Sequence, residues 1–83
     1  MTQREAKIIK DILDVLHESD GQQFLEVLLH AKVCERTKCS LQEFNACLAM
    51  INANGWVNCV ENRTTRKMKW NINDAGEAAR LEM

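Results

Sequence analysis

With 83 residues the chain has room for one domain, and its core must be used efficiently. The absence of proline and a total of only three glycines exclude a linker-rich or disordered protein, and a net charge of −1 leaves the distribution of charge as the informative quantity. No apolar run approaches the length of a membrane span, and the opening M-T-Q-R-E-A-K does not read as a signal peptide, so a soluble cytoplasmic protein is expected.

A first helix is predicted over 3–18. Ile8, Ile9, Ile12, Leu13 and Leu16 form an apolar stripe opposite Lys7, Lys10, Asp11 and Asp14, and Ser19-Asp20-Gly21 stops it. The next stretch, with Phe24, Leu25, Val27, Leu28, Leu29, Ala31 and Val33, is too densely apolar for a clean period. It reads as a second helix over 23–34, with Val27, Leu28 and Ala31 expected to pack on the helix that follows. Glu35 to Cys39 is a polar turn.

The central helix spans 41–54. Ser40 and Glu43 form a capping box, Leu41, Phe44, Cys47, Leu48 and Ile51 share a face, and Gly55 is placed for a left-handed exit. The pattern then switches to alternation. Strands are predicted over 56–61 and 67–72, the second with Met68, Trp70 and Ile72 alternating with Lys67, Lys69 and Asn71. A last helix over 74–82 is expected to be capped by Asn73 or Asp74. The fold class is therefore mainly α with a two-stranded antiparallel wing (α+β), in the order helix, helix, helix, strand, strand, helix, in one domain covering 1–83.

That order, with a capped third helix released by glycine into a basic hairpin, reads as a winged helix-turn-helix. The segment Gly55 to Gly76 resembles MarR-type and related winged-helix regulators. Gly55, Trp56 and Val57 match the family's glycine followed by two apolar residues. A wing arginine, Arg66, precedes an apolar residue by six (Ile72), a polar cap by seven (Asn73) and a glycine by ten (Gly76). Thr64 stands where the family often has an acid, and the long terminal helices that build the MarR-type dimer have no counterpart here. The resemblance implies a DNA-binding domain whose third helix enters the major groove while the wing follows the backbone or minor groove.

Charge is segregated in the sense that this reading needs. Arg63, Arg66, Lys67 and Lys69 fall in the wing with no acid between Asn62 and Trp70, Lys32, Arg36 and Lys38 lie around the turn, and both terminal helices are net acidic. Expected DNA contacts are Arg63, Arg66, Lys67 and Lys69 to phosphates or the minor groove, Arg36 and Lys38 at the entry to the third helix, and Gln42 and Asn45 to bases. The third helix exposes no lysine or arginine. The alternative is therefore a protein–protein interaction module that uses the uncharged Ala46–Ala49 face. Double-stranded DNA is the expected partner, with a homodimer or second protein adding specificity.

Four cysteines, Cys34, Cys39, Cys47 and Cys59, are spaced x4, x7 and x11 with no C-x-x-C, and are expected to be reduced thiols behaving as small hydrophobes. No metal or cofactor is expected. A redox or metal sensor would need Cys34, Cys39 and Cys59, or the first two and one further ligand, to come together. His17 and His30 lack any acid–nucleophile arrangement and are expected to be structural. No phosphate loop, nucleophile elbow or carboxylate pair is present, and no enzyme activity is expected.

Overall fold

A computed structural model describes residues 2–19 and 22–83. Helix α1 runs over Gln3–Glu18. Thr2 opens it with a capping box: its hydroxyl accepts the Glu5 N–H, and the Glu5 carboxylate accepts the Thr2 N–H. The stripe Ile8, Ile9, Ile12, Leu13 and Leu16 is fully buried and gains Val15, so α1 is the helix against which α2, α3 and α4 pack. Ser19 caps its end, and the Asp20-Gly21 part of the predicted stop lies outside the described residues.

The densely apolar stretch after α1 divides in two. Phe24–Leu25 forms a short strand β1, and helix α2 begins only at Glu26, running over Glu26–Arg36. This corrects the helix predicted over 23–34. Extended backbone at Phe24 sets it opposite Trp70, where both side chains add to the core, and a short apolar run does not reveal that partner by its own periodicity. Packing against α1 sets which face of the helix is buried. Leu29 and Val33, one turn apart, are the fully buried residues of α2, while Val27, Leu28 and Ala31 face outward.

Helix α3 runs over Leu41–Ala53 with the Ser40–Glu43 capping box in place. Phe44, Cys47, Leu48 and Ile51 are buried, whereas Leu41, in the first turn, stays more than half exposed. The exit is a Schellman motif. Trp56 N–H donates to the Ile51 carbonyl, Gly55 N–H donates to Asn52, and Gly55 sits at φ 75°. Strands β2 (Val57–Glu61) and β3 (Met68–Ile72) follow, paired antiparallel with Val57 opposite Ile72 and Cys59 opposite Trp70. The sheet has three strands in the order β1-β3-β2, not the two predicted, because Phe24–Leu25 completes the other edge of β3. Helix α4 (Asp74–Glu82) is capped by Asn73, whose side-chain oxygen accepts the Gly76 N–H. Its amide also donates to the Gly55 carbonyl at 2.8 Å, which ties the α4 start to the α3 exit. The architecture is thus mainly helical with a small antiparallel sheet, an α+β domain.

Candidate functional site

The β2–β3 hairpin carries the densest positive charge, and its loop is built by Asn62. The Asn62 side-chain oxygen accepts the Thr64 and Thr65 N–H groups, forming an Asx-type turn. Its backbone N–H donates to Lys67 and its carbonyl accepts from Arg66. Closing this loop puts Arg66 at φ 59°, the only left-handed non-glycine among the described residues. Arg63, Arg66 and Lys67 are exposed, and Lys69 is half-buried on β3 opposite Leu25 and Val60.

What distinguishes these cations is that their charge is uncompensated. Arg4 pairs with Glu43, Lys10 and Arg80 with Asp14, Lys32 with Glu35, and Arg36 with Glu18. Arg63, Arg66, Lys67 and Lys69, together with Lys38 before α3 and Lys7 on α1, make no ion pair among the described residues. Arg36 behaves differently from its neighbours in sequence. One guanidinium nitrogen, Nη2, donates to both oxygens of Glu18, and this contact raises the Arg36 pKa further. That fixes the α2 end to the α1 end and takes Arg36 away from the entry to α3.

Between the hairpin, the start of α3 and the start of α2 lies a groove of about 410 Å³. Leu25, Val27, Leu41 and Met68 form its apolar walls, and Glu26, Asn45, Arg66 and Lys67 its polar rim. Three residues singled out in the sequence, Asn45, Arg66 and Lys67, therefore meet at one place. Gln42 is exposed on α3 but does not line the groove, and Arg63 lies in the hairpin loop beyond it. Asn45, Ala46, Ala49 and Asn52 make an uncharged exposed face on α3. Glu43 is held on both oxygens. Arg4 bonds both of its carboxylate oxygens, Ser40 N–H adds a further bond, and together these hold its pKa down at about 2.

Behind this face lies a second cluster. His30 and Cys34 stand one turn apart on α2, and Cys39 follows in the link to α3. Cys34 Sγ is 3.3 Å from His30 Nε2 and 3.8 Å from Cys39 Sγ, and the three ligand atoms all lie within 4.8 Å of one another. Burial, then the contact with Cys34, pushes the Cys39 thiol up to about 11. Cys59 lies on β2 outside this group, and Cys47 is buried in the core with its thiol aimed at the Glu5 carbonyl. Cys34 and Cys39 are candidates from sequence, whereas His30 reads there as structural. The overlooked signal was the i, i+4 spacing of His30 and Cys34, which places both side chains on one helix face. His17 bonds Glu77 at 2.8 Å and joins α1 to α4.

No protein-family model, curated protein or solved structure matches the chain. Among the described residues no helix is long and apolar enough to cross a membrane.

Proposed function

We propose that the chain is a winged helix-turn-helix domain of MarR-like type that binds double-stranded DNA and acts in transcriptional regulation. The observation that carries this reading is the segregation of uncompensated charge. Among the described residues the four hairpin cations and Lys38 make no ion pair, with Lys7 the one other such cation, while five basic side chains are neutralised by acids on the helices. Phosphates would be held by Arg66 and Lys67 at the groove, by Arg63 and Lys69 along the hairpin, and by Lys38 before α3. Gln42 and Asn45 on the exposed face of α3 would read adenine edges. Glu43 is already bonded by Arg4 and Ser40 and is not assigned a base contact. A domain of this size covers few base pairs, so specificity calls for a second copy or a partner.

A second reading, a protein-interaction module, is favoured by the groove itself. Val27 and Leu41 are 72% and 56% exposed on its walls, beside the uncharged α3 face. One experiment separates the two: binding to random-sequence duplex DNA across a salt series, with wild type and Arg66→Ala plus Lys67→Ala. Phosphate contact predicts a steep salt dependence whose slope falls by about 2 in the double variant. Absence of binding at low salt would refute the DNA reading and leave the groove as a contact surface for protein.

A further inference from the structure

We infer that His30, Cys34 and Cys39 form a binding site for a thiophilic divalent metal ion, with zinc the best match to the ligand set. This inference is independent of what α3 and the hairpin bind. A zinc ion holds thiolate sulfur at about 2.3 Å and imidazole nitrogen at about 2.0–2.1 Å in tetrahedral geometry. Those bond lengths imply sulfur–sulfur edges of about 3.8 Å and sulfur–nitrogen edges of about 3.6 Å. Here the Cys34–Cys39 sulfur pair is at 3.8 Å and the Cys34 sulfur to His30 Nε2 distance is 3.3 Å. Two edges of the coordination polyhedron are thus already near the required length, and small side-chain rotations bring in the third.

The scaffold around the ligands favours this geometry. One face of α2 carries His30 and Cys34, and the Phe44 ring packs against the imidazole at 5.0 Å, restricting its rotation. Cys39 is buried and the other two are half-buried, so the ion would be shielded from water yet reachable. The hydrogen bonds of the cluster compete with one another. His30 Nε2 and the Cys34 sulfur each lie 3.3 Å from the Cys39 carbonyl and 3.3 Å from each other, so the Cys34 thiol proton serves only one of these acceptors at a time. A disulfide would satisfy the sulfurs alone, and only after they close to about 2.05 Å, whereas a metal engages all three side chains.

Two thiolates and an imidazole select zinc and its neighbours over magnesium or calcium, and leave a fourth position for water or an outside donor. Each ion taken up would form two metal–sulfur bonds and one metal–nitrogen bond, and the two thiol protons would pass to solvent. Its structural effect would be to staple the last turn of α2 to residues 37–40, the link that sets the start of α3 and carries Lys38.

The test uses the reduced full chain and cobalt(II) as a spectroscopic probe. Expected are a thiolate-to-cobalt charge-transfer band and tetrahedral visible bands that saturate at one equivalent and disappear on adding zinc. Cys59→Ser should leave the spectrum unchanged, and Cys34→Ser should remove most of the charge-transfer intensity. A complementary measurement needs no substitution. Zinc should slow alkylation of Cys34 by about tenfold or more, because a coordinated thiolate is a poor nucleophile, while Cys59 is unaffected. Lack of a charge-transfer band with one equivalent of cobalt, or alkylation of Cys34 at the same rate with and without zinc, would overturn the site.

Discussion

Gly76→Ala tests how α4 docks on the rest of the fold. A Cβ at this position would sit 2.1 Å from the Trp56 carbonyl oxygen and 2.7 Å from Ile72 Cγ1. The first neighbour is backbone, held by the Schellman exit of α3 and by the Asn73 N–H, so it cannot rotate aside. Relief requires α4 to retreat by about 1 Å, given ordinary carbon–oxygen contact distances. That movement stretches the Asn73 bonds to Gly55 and Gly76, which are 2.8 and 2.9 Å long. Overpacking costs about 1–3 kcal/mol, and loss of the cap adds about 1 kcal/mol. The better helix propensity of alanine returns about 1 kcal/mol. The net destabilisation is therefore about 2 kcal/mol, which in a domain of this size lowers Tm by roughly 8–16 °C. Thermal unfolding followed by circular dichroism at fixed protein concentration measures it. Gly55→Ala is the contrasting variant, since nothing lies within 4 Å of its Cβ and only the left-handed backbone, about 1–2 kcal/mol, opposes it. A Gly76→Ala protein as stable as wild type would mean that α4 does not approach the α3 exit so closely.

Leu29→Ala should cost about 2–5 kcal/mol and Leu28→Ala less than about 0.5 kcal/mol by denaturant titration, because the first is fully buried and the second half exposed. Equal effects would contradict the rotational setting of α2. Glu43 has a folded pKa of about 2 against an ordinary 4.5, so its contribution is present above pH about 4.5 and is lost as pH falls towards 2. Arg4→Met should flatten that part of the acid-unfolding profile, and an unchanged profile would show that the Arg4 contact does not stabilise the fold. Arg66→Gly relieves the left-handed backbone at φ 59° and should raise stability by up to about 1 kcal/mol. The same variant should bind DNA more weakly, so a loss of stability would refute the loop conformation, and unchanged affinity would remove Arg66 from the proposed interface.

Much of this fold is written locally. The α1 stripe, the Ser40–Glu43 box, the glycine exit at Gly55 and the alternation through Met68, Trp70 and Ile72 each depend on residues within a turn or two, and each recurs in the structure close to its predicted span. The charge of the hairpin was equally plain, since no acid interrupts it. Tertiary structure decided what depends on distant partners. Phe24–Leu25 became a strand because β3 offered an open edge, which also moved the start of α2, while packing against α1 set its buried face at Leu29 and Val33. Long-range pairing likewise decided which cations remain free. Arg36 and Lys38 are alike in sequence, yet the end of α1 brings Glu18 to the former, while the latter makes no ion pair among the described residues. The sequence singles out Cys34 and Cys39 but treats His30 as structural, and only the fold of the link after α2 brings all three side chains together. Local sequence sets elements and their ends, while the pairing of faces and the neutralisation of charge are set by whichever segments the packed core brings together.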